Sequence, residues 1–222
     1  MTRSSYGPEW DHAANTRRLA ITRAVTAQLM AQQTWPNWTW VVLLHQADPN
    51  LHERMALYSG SAPDFRPIIW DRIAGSRQLA ADLMPDWRCY VNADEPALMT
   101  RLDDDDGLAP DALERIQGGG RNLTKRTVLM LPAGLRIYNG WQQPIWHERN
   151  AMQTLFTPAG DTLSPYDYTH TAPPAPVELL GDVPGWLWVR HPDTISGEFL
   201  TATASPILEA TRRAFPADWS AL

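Results

Sequence analysis

Apolar positions in residues 13–33, "AANTRRLAITRAVTAQLMAQQ", recur at helical spacing through Leu19, Ile21, Ala24, Val25 and Leu29, and the stretch holds no glycine or proline. The pattern predicts an amphipathic helix, capped by Asp11 or Asn15. Pro36 ends it by disfavouring helical geometry at Trp35. "TWVVLLH" at 39–45 is short, apolar and rich in β-branched residues, which marks a buried strand. A helix is expected at 51–59, a strand at 65–71 whose Pro67 suits a sheet edge, and another helix at 75–84. "PALMTRLDDDD" at 96–106 reads as a strand running into an acidic loop. Pro110 fits the first turn of the next helix, Asp111 and Glu114 complement its dipole, and Gly118–Gly120 are expected to stop it.

From residue 127 the texture changes to strands. "TVLMLPAGLRIYNGW" predicts two strands paired as a hairpin around Pro132-Ala133-Gly134. A short helix is expected at 149–156, and 157–178 is a long loop rich in turn formers. Loops of that length in a compact domain are usually functional or mobile. "GWLWVRH" at 185–191 is a last strand, and "SPILEATRRAF" a C-terminal helix. Alternation in the first half and strand pairs in the second predict a single α/β domain over 1–222. It is a sandwich with a mainly parallel central sheet, helices on both faces and an antiparallel extension. Ligands of such sheets bind beyond the carboxyl ends of the strands, where the acidic loop sits.

Composition narrows the class. The length of 222 residues suffices for one sizeable core. A net charge of -6 argues against bulk nucleic-acid or anionic-membrane binding. One cysteine, Cys89, forms no intramolecular disulfide and reads as a small buried side chain. "MTRSSYGPEW" lacks the apolar core of a signal peptide, and the longest apolar run, "WVVLL", is too short to span a bilayer. A cytoplasmic protein is expected. Lys125 is the only lysine, which excludes mechanisms needing two, and no phosphate-binding Gly-Lys-Ser/Thr loop is present. Eleven tryptophans suit sugar stacking as well as core packing.

The candidate chemistry lies in "TRLDDDDGLAPDALERI", where Asp103–Asp106 follow a strand directly. Four adjoining carboxylates repel unless a cation or helix-end amides offset them. An EF-hand loop fails on register, because placing Gly107 at its sixth position puts Leu102 first and Leu113 twelfth. "DDDGL" resembles the start of a haloacid-dehalogenase-type phosphatase, but Lys125 comes too early to be its balancing lysine. A ligand-free acidic cap of the following helix needs only one or two carboxylates. A divalent cation prefers oxygen ligands, and carboxylates at i and i+2 at a strand end face one site.

The whole stretch resembles the Asp-x-Asp segment of the putative rhamnosyltransferase family, a branch of the GT-A fold. "TRRLAITRAVTAQLMAQQTWPNWTWVVLL" is similar to that family's helix, turn and second strand, "LPAGLRIYNG" to its central hairpin, and "GWLWVRHPDTIS" to its late tryptophan strand. The resemblance implies a nucleotide-sugar-dependent glycosyltransferase using Mn2+ or Mg2+. It implies that Asp103 contacts the donor and, with Asp105 and His191, the metal. Asp106 then orients the others or touches the sugar, Asp104 points away, and Arg101 and Arg3 help hold the donor. His170 and Tyr168 become candidates for an acceptor-side lid. The implied partners are a dTDP-, UDP- or GDP-sugar and an acceptor glycan or small molecule.

Two departures from the family pattern stand out. Its opening apolar strand, ending in Thr-Arg, is here reduced to "MTR". Either the start lies upstream or the sheet forms without that strand. In the second case an exposed or subunit-covered edge beside 39–45 and a homodimer or a poorly soluble monomer are expected. The acid expected after the hairpin, a candidate base, falls at Thr157, which leaves Glu148, Asp161 and Asp167 as substitutes. A catalytically silent nucleotide- or sugar-binding protein therefore stands as one alternative, and a haloacid-dehalogenase-like phosphatase as the other.

Overall fold

The structure is a computed structural model that describes residues 2–3, 12–70, 92, 94–161, 163–192 and 203–222. The first half runs β1 (Thr2–Arg3), α1 (His12–Ile21), a π-helical turn (Thr22–Thr26), α2 (Ala27–Ala31), β2 (Thr39–His45), α3 (Leu51–Ser59) and β3 (Asp64–Trp70). There follow β4 (Ala97–Thr100), β5 (Leu102–Asp103), β6 (Gly107–Leu108), α4 (Ala112–Gly120), β7 (Thr127–Met130) and β8 (Ala133–Tyr138). The rest is β9 (Trp141–Trp146), β10 (Thr154–Thr157), β11 (Val177–Leu179), β12 (Trp186–Val189), β13 (Ser205–Pro206) and α5 (Glu209–Ala214).

The α/β class holds, but a single mainly parallel sheet does not form among the described residues. Three sheets do, and only the first, ordered β3-β2-β1-β5, is parallel throughout. The second, β11-β7-β10-β4, and the third, β13-β9-β8-β12-β6, are mixed. In the second half the β8–β9 hairpin is antiparallel because its connection is short, whereas the parallel pairs β7–β11 and β8–β12 are joined through long stretches of chain. Among the described residues β3 is the outermost strand of its sheet, a place where Pro67 is tolerated.

The expected long helix forms, with one i to i−5 turn inside it: Ala27 N–H donates to the Thr22 carbonyl. It packs Val25 and Leu29 into a core shared with Trp40, Leu44, Leu108, Ile137, Trp186 and Phe215. Trp40 meets Tyr58 edge-on, with ring centroids 4.8 Å apart. Burying each such side chain contributes about 1.5–3 kcal/mol.

α4 runs through Gly118 and Gly119 but ends at Gly120 with Arg121 as its C-cap, inside the "GGGR" stretch expected to stop it. A Cβ on Gly120 would come 2.7 Å from Leu98 Cδ1, so close packing also selects glycine there. Several local expectations are corrected. β7 and β8 do not pair, since they lie in different sheets. The hairpin is β8–β9, turning at Asn139 and Gly140 with φ of 48° and 78°, the left-handed pair that Asn-Gly favours. The expected helix at 149–156 is replaced by β10, whose two edges are both paired. That pairing outweighs local preference. The helix expected at 75–84 and Cys89 lie outside the described residues.

Two features place the site. Thr2 and Arg3 pair with β2 on one side and β5 on the other, Arg3 between Leu43 and Asp103. The place of the opening strand is thus held by two residues. On the N-terminal side of Thr2, a cavity of about 590 Å3 separates Thr39–Val41 from Ala97–Thr100. The chain also changes sheets at Arg101: β4 belongs to the second sheet and β5 to the first. The acidic turn hangs from that crossing.

Candidate functional site

The turn after β5 closes through Asp106 N–H donating to the Asp103 carbonyl at 3.2 Å. Gly107 ends it directly beneath the helix. A Cβ there would run into Leu29 Cδ1 and come 3.2 Å from Val25 Cγ1. Above it, the Thr26 hydroxyl lies 2.8 Å from the Asp104 carbonyl oxygen and 2.7 Å from that of Asp106. A polar stripe at helical spacing, Arg18, Thr22 and Thr26, is therefore buried against the acidic turn.

Asp104 is turned into the core, where it is bonded to two arginines rather than idle. It is 0% exposed. Its Oδ1 accepts from Arg18 Nη2, and its Oδ2 lies 3.3 Å from Arg54 Nη1. Arg54, also fully buried, donates through Nε to Asp48 Oδ2 at 2.9 Å. Full burial pushes the Asp104 carboxyl up, while the charges of Arg18 and Arg54 oppose it.

Asp105 points into the site. Its Oδ2 lies 2.9 Å from His191 Nε2 and 3.1 Å from Arg18 Nη1. Burial pushes its carboxyl up. The Arg18 charge and the hydrogen bond and charge of His191 overcome that and hold it below the usual carboxylate range. Asp106 turns inward, its Oδ1 accepting from Val189 N–H at 3.2 Å. Burial, then the charges of Asp105 and Asp103, push it well above the ordinary range against the pull of Arg190. His191, just past β12, is thus brought to the turn.

Asp103, at the end of β5, keeps a 31% exposed side chain with Arg101 Nη2 3.5 Å away. Arg3 sits beside it in the parallel register; only its backbone is described. The Arg101 guanidinium lies 5.1 Å over the Tyr166 ring. His170 is held below its usual value by burial and by the charges of Arg101 and His147, against Asp103. Burial, opposed by the Arg101 charge, pushes the Tyr168 hydroxyl up. The expected loop candidates therefore meet the turn on its Asp103 side. The loop is also pinned: Gln153 Nε2 donates to the His170 carbonyl at 2.7 Å, and Arg149 Nη1 to that of Thr171 at 3.0 Å. Beyond His191, the Trp188 indole has the Arg190 guanidinium 4.7 Å and the Arg136 guanidinium 5.9 Å from its ring centre.

The three candidate bases lie in three different settings. Glu148 is exposed and accepts from Trp146 Nε1 at 3.4 Å. Asp161 follows β10, which runs antiparallel to β4 and so away from the turn. Its carboxylate takes a two-pronged bond from Arg126, both contacts 2.7 Å. Asp167 caps its own loop, accepting from Ser164 N–H at 2.7 Å.

Among the described residues, no three His, Cys, Asp or Glu side chains converge into a ready metal shell. Asp105 and His191 nevertheless supply one oxygen and one nitrogen donor in contact, with Asp103 open to solvent at the same turn. Such a partial set fits small hard cations, which usually keep waters and bind substrate phosphates beside one or two carboxylates.

The fold and this turn define an α/β protein with its polar site at strand ends. A family model described as putative rhamnosyl transferase matches residues 10–198, and the chain belongs to that family. Its description is that of glycosyltransferases. No curated protein matches the chain.

Proposed function

We propose that this protein transfers a glycosyl group from a nucleotide-activated sugar, a dTDP-, UDP- or GDP-sugar, to a hydroxyl of a glycan or small-molecule acceptor. Family membership supports the sugar chemistry. The observation that carries the donor site is the contact of Asp105 with His191, 86 residues apart, where strands of two sheets end. In a GT-A-like arrangement Asp105, His191 and Asp103 would hold Mn2+ or Mg2+. That cation would neutralise charge on the departing diphosphate. Arg101, beside Asp103, faces the same anionic leaving group, and Arg3 lies next to it on the neighbouring strand. Tyr168 and His170 wall this side and exclude water that would hydrolyse the donor. The partly buried Trp188, packed among Arg190, Arg136 and His147 on the strand that leads to His191, is a candidate apolar wall for a sugar.

A second reading, binding without transfer, is favoured by one observation: Asp161 is tied to Arg126 past the far end of β10, and Glu148 is exposed. Calorimetry with UDP, GDP and dTDP, in Mn2+ and then in EDTA, tests the donor site. Binding of one nucleotide only with Mn2+, abolished in Asp105→Ala, is expected. Equal binding of all three in EDTA would refute the metal-assisted site. Release of free sugar from the bound donor separates transfer chemistry from silent binding.

A further inference from the structure

Arg18 touches two adjoining carboxylates with different duties. One amino group of its guanidinium bonds Asp104 Oδ1, which is sealed in the core, and the other lies 3.1 Å from Asp105 Oδ2, which faces His191. The side chain is 4% exposed, and it stands at the head of the polar stripe, its carbonyl accepting from the Thr22 hydroxyl at 2.8 Å. A planar fork spanning two carboxylates fixes both orientations at once, which a lysine ammonium does not do.

We propose that Arg18 is a positioning residue: its fork anchors Asp105 through Oδ2 beside His191 and so sets the affinity of that pair for a divalent cation. The inference rests on the metal-assisted reading above. It adds a residue from the first helix, 86 and 87 positions before the carboxylates it holds. Arg54 provides an internal comparison. It contacts Asp104 and Asp48 and the Asn15 carbonyl, so it supports the same turn without holding Asp105 Oδ2.

The test is Mn2+ binding to the full chain without nucleotide, read from the electron spin resonance signal of free Mn2+, beside thermal melting of each variant. Arg18→Lys is expected to weaken Mn2+ binding by about 10–100-fold, the usual effect of losing a partner that orients a ligand. Arg54→Lys, destabilised to a similar degree, is expected to change it by less than about threefold, since its partners are not ligands. Should Arg18→Lys not fold, Arg18→Gln, which keeps hydrogen bonds to the turn, is read in the same way. Equal weakening in the Arg18 and Arg54 variants would overturn the proposal by showing that the network only stabilises the turn. Tighter binding in Arg18→Lys would overturn it by showing that the guanidinium competes with the ion. An unaltered chain that binds no Mn2+, either alone or with UDP, GDP or dTDP present, would remove the metal-assisted reading itself, and this proposal with it.

Discussion

Asp104→Ala is the substitution on which the structure and the bare Asp-x-Asp pattern disagree most. By pattern, the residue between the two ligands is idle. In the structure its carboxylate lies between two buried guanidinium groups, Arg18 and Arg54, themselves 4% and 0% exposed. Removing one partner of a buried ion pair typically costs about 3–5 kcal/mol, because the other charge stays desolvated. Arg18 retains Asp105, and Arg54 retains Asp48, which places the cost toward the lower end of that range. For a domain of this size each kcal/mol shifts the melting temperature by about 2–4 °C, so a fall of roughly 6–12 °C is expected. Urea unfolding followed by circular dichroism measures the free energy. Asp103→Ala, at a partly exposed pair, serves as the control and costs about 0.2–1 kcal/mol. An Asp104→Ala protein within about 1 kcal/mol of the unaltered chain would refute the claim that this aspartate holds the turn together.

Three further outcomes are expected. Asp106 has a raised carboxyl, so the folded state holds its proton more tightly than the unfolded chain does. Its contribution is fully present below the unfolded value near 3.9 and is lost as pH rises through the raised one. Asp106→Asn should therefore gain melting temperature relative to the unaltered protein as pH rises from about 4, and parallel curves would show an unshifted group. Gly107→Ala drives a methyl into Leu29 and should cost about 1–3 kcal/mol in urea titration; no loss would mean that the helix yields freely there. The loop over 163–172 is fastened by Gln153 and by its own Asp167, so its amides should be protected from deuterium exchange before any ligand is added. Uniformly fast exchange would show an open loop.

How far the sequence spoke depended on how local the cause was. β2, α3 and the long first helix were legible because periodicity and composition agree with burial. β10 was not, since Thr154–Thr157 owe their extended form to neighbours on both edges, and no local signal encodes that pairing. The acidic turn and His191 were legible as residue types at strand ends. Arg18 and Arg54 were missed because an arginine in "TRRLAIT" or "LHERMAL" looks like any solvated helix arginine. Arg18, Thr22 and Thr26 recur every four residues, but the solvated face of any amphipathic helix does the same, so the stripe alone does not mark burial. The sheet change at Arg101 left no trace, because a strand of seven residues and two short strands in different sheets share one apolar pattern.

The wiring of the acidic turn also fixes when the site can exist during folding. Asp104 waits for Arg18, 86 residues earlier, and for Arg54, 50 residues earlier, while Asp105 and Asp106 wait for His191 and Val189, 86 and 83 residues later. Each of these closures loses chain entropy before its contact forms, and contacts of long sequence separation slow folding. A chain emerging from synthesis has no complete turn until β12 has been made and docked. Any ligand that needs the whole turn would thus report the finished fold and pass over partly folded chains.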